Sequence, residues 1–307
     1  MLDAVFVFLK GIAIGAANVI PGVSGGTIAL ITGVFERLIN AIKSFDISAI
    51  RLLFQFQLKK FSQKVDLYFL ILIFFGAALS ILTLARVLDF WFTTYPYYIW
   101  ALFFGLILAS VFFVIKRIDD WTGPVFISLI GGLSVSILIS IMSPLSENSS
   151  FFYLFLCGII AICSMILPGL SGSFILVLMG NYQLIAIDAI NSLNMAVIIP
   201  VALGAIFGLI VFSHLLSFIF KKYKNMTIAS LSGFILGSLL ILWPWKNELY
   251  KLNIAGQFVL KKGGEKILEG YSWYLPSINT ETFVALCLML VGAFLIYMIE
   301  RVSTQAI

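Results

Sequence analysis

Two short polar motifs carry the residues best suited to chemistry in this chain of 307 residues. Each interrupts an apolar stretch with proline, glycine and serine in the same order, PGVSGGT at 21–27 and PGLSGS at 168–173. Proline and glycine end a helix, and a helix that restarts after the break leaves its first backbone amides without partners. Such amides, together with serine and threonine hydroxyls, suit an anion such as phosphate or carboxylate. We therefore predict an anion site at the two breaks.

The predicted binding residues are small and hydroxyl residues of both motifs, an amide before the first break and two cations in apolar stretches. They are Asn18, Gly22, Ser24, Gly25, Gly26, Thr27, Gly169, Ser171, Gly172, Ser173, Arg86 and His214. A cation at each end of one pathway can attract an anionic head group. Snorkelling of Arg86 to the membrane interface and a structural imidazole at His214 are equally good interpretations.

Glu36 and Arg37 are placed at the end of the helix that restarts after the first break. Glu36 is a candidate for proton coupling, and an ion pair at a helix end explains the two residues equally well. A tight helix crossing is the alternative explanation of the motifs themselves. It does not require the break to recur with the same residues in the same order, so we favour the anion site.

The composition requires a membrane. Hydrophobic residues make up 62% of the chain and charged residues 11%, with a mean hydropathy of +1.11. A bilayer core needs about 20 apolar residues per helix, and the chain contains such stretches repeatedly. One histidine and three cysteines inside apolar runs give no metal or cofactor site. We attribute the net charge of +5 to basic cytoplasmic loops rather than to nucleic-acid binding.

The chain contains an internal repeat. Gly11–Asn40 aligns without gaps on Gly158–Ile187, and Gly76–Ser110 aligns on Gly204–Ser238. Each half holds a broken apolar unit and three spans, predicted at about 66–88, 97–117, 124–143, 195–220, 227–244 and 281–300. Because three is odd, the second half must enter from the opposite face, as in many secondary transporters. We predict an all-α polytopic membrane protein with a single transmembrane domain, 1–307. Its inverted-topology repeats, 1–150 and 151–307, each consist of a re-entrant helical hairpin followed by three transmembrane helices.

Two segments lie outside this scheme. Residues 44–62 are predicted to form an amphipathic helix on the membrane surface, with Phe45, Leu52, Leu53 and Phe56 toward lipid. A cytoplasmic helix packed on the protein body is the alternative. Residues 245–279 are predicted to form an extracytoplasmic loop with a β-hairpin near its two adjacent glycines, 263–264. Most basic residues fall on the other side, which places both termini in the cytoplasm.

The motifs resemble the bacterial polyprenyl-phosphate transporter family PopT. The resemblance rests on GIAIGAANVIPGVSGGTIALITGVFERL in the first half and LPGLSGSFILVLMGNYQLI in the second. It implies a flippase of the bacterial cytoplasmic membrane that returns undecaprenyl phosphate from the outer to the cytoplasmic leaflet for cell-envelope glycan synthesis. The expected partners are this lipid and the surrounding membrane lipids, and homo-oligomerisation is left open. The positions that match the family are Asn18, Pro21, Gly22, Ser24, Gly25, Gly26, Thr27, Glu36, Arg37, Pro168, Gly169, Ser171, Gly172 and Ser173.

Two other functions are alternatives to transport of a lipid. Membrane phosphatases that act on undecaprenyl pyrophosphate carry a similar motif with an arginine where this chain has Gly25 or Gly172. Without a guanidinium, phosphoryl cleavage loses its main charge stabilisation, so we expect no enzyme activity. A small-anion channel or exchanger also uses helix N-termini and glycine-serine tips. A cleft that opens sideways to lipid would favour the lipid transporter.

Overall fold

The computed structural model describes residues 2–19, 24–250 and 268–305. These residues form fourteen α-helices, a π-helical turn and two strands. The helices are α1 (Leu2–Val19), α2 (Gly25–Ile31), α3 (Phe35–Lys43), α4 (Ile47–Phe54), α5 (Leu58–Lys64), α6 (Leu67–Thr94), α7 (Pro96–Ile115), α8 (Gly123–Ile141), α9 (Phe151–Ile166), α10 (Gly172–Leu178), α11 (Ala189–Asn191), α12 (Met195–Lys222), α13 (Lys224–Leu242) and α14 (Thr280–Gln305). The π-helical turn is Gln183–Asp188, and the strands are β1 (Lys246–Tyr250) and β2 (Leu268–Trp273).

Six described helices are long and apolar enough to cross a bilayer, namely α6, α7, α8, α12, α13 and α14. They coincide with the six predicted spans, which confirms an all-α polytopic membrane protein. α1 and α9 are shorter apolar helices that lead into the two breaks. α1 begins at Leu2, before Gly11, where the aligned segment of the repeat begins.

Glycines hold the first helix of each half against the first span of that half. A methyl group at Gly11 would lie 2.5 Å from the carbonyl oxygen of Ile73, and one at Gly15 would lie 2.4 Å from that of Ala77. Both contacts advance by four residues, so α1 and α6 run parallel. α9 and α12 pack in the same way, with Gly204 against Phe155 and Gly208 against Ile159. Small residues thus allow close approach of backbones inside the membrane.

The last spans of the two halves are exchanged. α8 of the first half packs along α13 of the second, and α14 of the second half packs along α7 of the first. Glycines again mark both crossings, with Gly132 against Ser230 and Gly105 against Met289. Gly105 aligns on Gly233, which itself lies against Leu129 of α8. The repeat seen in the sequence therefore corresponds to a repeat in helix packing.

We expect Gly105→Ala to destabilise the bundle, because the added methyl group would lie 1.9 Å from the carbonyl oxygen of Met289. Overpacking of this kind costs about 1–3 kcal/mol. Gly131→Ala on α8 is the matched control, since nothing lies within 4 Å of the added atom. Thermal unfolding of the purified proteins in detergent measures the difference. Equal unfolding temperatures for both variants would show that α7 and α14 do not meet at this glycine.

Polar contacts fix the end of the short helix that follows each break. In the first unit, Arg117 at the end of α7 donates to the carbonyls of Leu30 and Ile31, the last residues of α2. α7 follows α6 after one residue and contacts it, so α7 ends on the side of the bundle where α6 begins. In the second unit, the hydroxyl of Tyr153, near the start of α9, donates to the carbonyl of Met179 at the end of α10, at 2.7 Å. We call the end of the bundle where α6 begins and α7 ends the basic end.

The segment 44–62, expected as a single helix, consists of two. Phe56 lies between α4 and α5 with a φ of +55°, and the chain turns there. Ala49, Phe61 and Val65 form a small core, against which Leu52 packs instead of facing outward. Phe56 is 87% exposed. The position of this segment on the membrane surface stays a prediction.

A polar contact joins the start of α4 to the end of α5. Lys64 bonds Asp46, and this bond, with those from Ser48 and the amide of Ala49, holds the pKa of Asp46 well below its ordinary value.

In the loop 245–279, β1 and β2 pair antiparallel, as the predicted hairpin requires. The glycines proposed for its turn lie outside the described residues.

Candidate functional site

The two breaks touch each other. Ser24 caps α2 and its hydroxyl donates to the carbonyl of Leu167, at 3.2 Å, just before the second break. The amide of Gly169 donates to the hydroxyl of Thr27 at 2.9 Å. Gly26 lies so close to the second unit that a methyl group would be 2.6 Å from the carbonyl oxygen of Ile166. We call residues 24–27 the first tip and residues 168–173 the second tip.

The amides of the first tip are already bonded within the protein. The amide of Gly25 donates to Asn18 Oδ1 at 2.9 Å, and that of Gly26 donates to Ser24 Oγ at 3.2 Å. Ser24 and Thr27 are buried, whereas Asn18 is exposed. Asn18, which precedes the first break, is therefore the side chain that can move aside for a ligand, and its displacement frees the Gly25 amide.

The second tip presents hydroxyls instead. Ser171 and Ser173 lie with their hydroxyl oxygens 2.7 Å apart, and Ser173 is exposed. No side chain caps the start of α10 within the described residues. Gly169, with a φ of +85°, packs against the carbonyl of Phe234, and Gly172 packs against Met165. The two glycines are packing residues here, and the two serines are the ones that can meet a ligand.

An apolar groove of about 890 Å³ runs from the first tip and the end of α9 toward the basic end. Asn18, Gly25, Gly26, Met165 and Ile166 line its start. Its walls are apolar side chains of α3, α6, α9 and α12, and along α6 it extends from residue 67 to residue 81, or about 21 Å at 1.5 Å per residue. Because its α6 and α12 walls include exposed residues of spanning helices, the groove faces the lipid side of the bundle.

The sequence did not reveal this groove, because its walls come from both halves of the chain. The apolar side chains of these walls look like ordinary lipid-facing residues until the helices are packed. A polar start and apolar walls suit an amphiphile with a small anionic head and a long hydrocarbon tail. A water-filled anion path would require polar walls.

The described structure locates the side chain of only one of three further predicted residues, Gly22, Arg86 and His214. Gly22 lies outside the described residues, as does the side chain of Arg86, although its backbone belongs to α6. His214 is exposed on α12, and its Nδ1–H donates to the carbonyl of Ile210 at 2.8 Å. Ile210 lines the groove, so His214 lies one helical turn from it. The structure does not bring His214 to the tips.

Glu36 and Arg37 do not end the restarted helix. α2 ends at Ile31, where Gly33 takes a φ of +74° as glycines do after a helix C-terminus, and both residues belong to the first turn of α3. α2 and α3 meet at an angle of 115°. The repeat contained the signal for this break, since Gly33 aligns on Gly180, whose φ is +72°.

Both side chains line a polar cavity of about 500 Å³ at the basic end. Arg37 forms a two-point ion pair with Asp66, with N–O distances of 2.6 and 3.1 Å. The interpretation of Glu36 and Arg37 as an ion pair is therefore wrong, because Arg37 pairs with Asp66 instead. Glu36 is exposed in the cavity. Its role in coupling stays a prediction.

Comparison with known proteins gives a consistent result over nearly the whole chain. The chain is 36% identical over 300 residues to a protein of Vibrio cholerae serotype O1 named polyprenyl-phosphate transporter, covering 97% of this chain and 96% of that protein. A Staphylococcus aureus protein of the same name is 29% identical over 256 residues, or 77% of this chain and 85% of that protein. No solved structure matches the chain.

A family described as VCA0040-like, undecaprenyl phosphate translocase-like, matches residues 14–259. The match includes both tips and most of the groove. The family and both relatives are described as transporters and not as enzymes. This multi-pass membrane protein therefore belongs to the VCA0040-like, undecaprenyl phosphate translocase-like family.

Proposed function

We propose that this protein is a flippase for polyprenyl phosphate that returns the lipid to the cytoplasmic leaflet of the bacterial cytoplasmic membrane. The observation that carries the proposal is the groove. It combines a polar start, at Asn18 and the first tip, with about 21 Å of apolar wall along α6. The names of the two relatives support the substrate class.

The direction of the helices supports an inverted repeat. α6 starts at the basic end, whereas its equivalent α12 finishes there, since Ser217 near the end of α12 contacts Lys43 of α3. Lys224, which follows α12, also contacts Asp119, which follows α7. Equivalent helices then run oppositely, and the two hairpins enter from opposite ends. In this proposal both hairpins are re-entrant and their tips meet inside the membrane.

The basic end is proposed to face the cytoplasm. Arg37, Lys64 and Arg117 lie there, and cytoplasmic loops carry an excess of such residues. The groove then opens toward the cytoplasmic leaflet. The hydroxyls of the second tip are proposed to bind the lipid when the protein opens toward the outer leaflet. This orientation gives the proposed outer-to-inner direction a release path.

The phosphate is proposed to bind at the tips by exchange of hydrogen bonds. Ser171 and Ser173 offer hydroxyl donors, and the Gly25 amide offers a third donor once Asn18 Oδ1 leaves it. The Asn18 carboxamide oxygen thus stands where a phosphate oxygen would accept. Bonds from neutral donors to a charged phosphate are stronger than neutral pairs, so the exchange is favourable.

Reconstitution tests the proposed function. Purified protein in liposomes with labelled undecaprenyl phosphate is expected to accelerate appearance of the lipid in the opposite leaflet, and dephosphorylated undecaprenol is not expected to move faster than in empty liposomes. Absence of protein-dependent movement under any ion gradient would refute the flippase. Equal movement of both lipids would refute recognition of the phosphate.

We expect Ser171→Ala with Ser173→Ala to weaken binding of farnesyl phosphate without unfolding the protein. Loss of hydrogen bonds to a charged group costs about 1.5–3 kcal/mol each. Ser134→Ala, on an exposed position of α8, is the matched control. Binding is measured by calorimetry in detergent with farnesol as the uncharged reference. Unchanged affinity in the double variant would remove these hydroxyls from the site.

A further inference from the structure

We infer that the basic end of the groove holds a second anion site, in which Lys43 and Ser217 receive the phosphate head of the lipid after it leaves the tips. The inference rests on the proposed function, since it assumes that a phosphate with an apolar tail moves along the groove. We call this group, with Asn40, the Lys43 site.

The Lys43 site joins α3 to α12. Lys43 lies in the last turn of α3, and its Nζ donates to Ser217 Oγ on α12 at 3.4 Å. The Ser217 hydroxyl donates in turn to Asn40 Oδ1 at 3.0 Å. Lys43 and Asn40 are half-buried and Ser217 is buried. The three side chains therefore form one connected polar group inside an otherwise apolar interface.

Lys43 differs from its basic neighbours in its charge balance. Arg37 is paired with Asp66, and Lys64 is paired with Asp46. Among the described residues, no carboxylate pairs with Lys43. Glu36 lies seven residues earlier, about 10 Å along the helix axis. A half-buried cation beside a lipid-facing groove, with a hydroxyl as partner and no counter-charge, has the electrostatics of an anion site.

The Lys43 site lies where apolar and polar spaces meet. Ile39 and Ile42 of α3 line the groove, while Asn40 lines the polar cavity at the basic end. On α12, the groove wall at Ile210 gives way two turns later to Ser217. Lys43 directly follows Ile42 of the groove wall, so a phosphate bound to its ammonium group lies beside the groove that would hold the tail. Neither space alone offers both environments.

The first test uses the unmodified protein. Its lysines are acetylated with a water-soluble N-hydroxysuccinimide ester and quantified by mass spectrometry, with farnesyl phosphate or farnesol present. We expect farnesyl phosphate to slow acetylation of Lys43 about tenfold, as one charge-assisted hydrogen bond would. Lys60, exposed on α5, is the internal control and is expected to react at the same rate throughout. Equal protection by farnesol, or no protection, would overturn the Lys43 site.

The second test measures transport. Lys43→Gln keeps a donor for Ser217 and removes the charge, and we expect it to slow undecaprenyl phosphate movement about tenfold, with recovery in Lys43→Arg. Lys60→Gln changes the net charge equally and is expected to have no effect. If the parent protein transports the lipid and Lys43→Gln does so at the same rate, the Lys43 site is wrong and the flippase stands. If the parent protein moves no lipid, the proposed function itself fails.

Discussion

Gly26→Ala is expected to stop transport of polyprenyl phosphate, because it forces the two tips apart. The added methyl group would lie 2.6 Å from the carbonyl oxygen of Ile166, which is backbone and cannot rotate away. Overpacking costs about 1–3 kcal/mol. If the transporting state needs the tips in contact, this corresponds to a loss in rate of about tenfold or more. Transport in proteoliposomes measures it, with Gly131→Ala as the glycine control.

Gly25→Ala separates the tip contact from folding. The atoms nearest to its methyl group would be those of the Asn18 side chain, at 2.6–2.9 Å, and this side chain can rotate. This variant is therefore expected to fold with a displaced Asn18 and to keep the contact between the tips. If Gly26→Ala unfolds like the parent and transports like the parent, the contact between the tips has no role in transport.

The local features of the tips could be predicted from the sequence, because they depend on local chemistry. Ser24 and Ser171 precede the two restarted helices as predicted, and the Ser24 side chain caps its helix. The six spans followed from the length of apolar stretches that a bilayer requires. The glycine alignment of the halves, such as Gly105 with Gly233, reappeared as equivalent helix crossings.

The features that depend on packing between the halves could not be predicted. The groove needs α9 and α12 beside α3 and α6, and no periodicity in one helix indicates that arrangement. In the sequence, Lys43 resembles the other basic residues. The structure shows that its neighbours Arg37 and Lys64 are paired with carboxylates, whereas no described carboxylate pairs with Lys43. The break before Glu36 was predictable in principle, because Gly33 and Gly180 align, but the continuous apolar run concealed it.

The tips also show why equivalent residues need not act alike. Ser24 is buried and bonds both Gly26 and the carbonyl of Leu167, so it holds the tips together. Its equivalent Ser171 contacts exposed Ser173. In the proposed flippase, two tips that bind one lipid from two leaflets need one tip open while the other is capped. The asymmetry observed here is that of a single conformation in which the first tip is capped by Asn18.

Ala78→Trp is expected to block the groove and thereby to distinguish the lipid transporter from a small-anion channel. Ala78 lines the groove from an exposed position on α6, so a large side chain can enter the groove without displacing the core. Leu79→Trp is the matched control, because Leu79 is 41% exposed on the same helix and does not line the groove.

The two functions predict different results for this variant. The groove is the path proposed for the lipid tail, so we expect transport of undecaprenyl phosphate to fall about tenfold or more in Ala78→Trp, as for the loss of about 1.4 kcal/mol in the transporting state, and to persist in Leu79→Trp. Chloride or inorganic phosphate passing through polar atoms at the tips would not be obstructed by a side chain in an apolar wall. Suppose that ions pass through both the parent protein and Ala78→Trp, and that lipid movement is unchanged in the variant. The groove would then be a lipid-filled crevice and the tips an ion path. Loss of lipid movement in Ala78→Trp alone requires that the tail travels between α6 and α12 while the head crosses the tips.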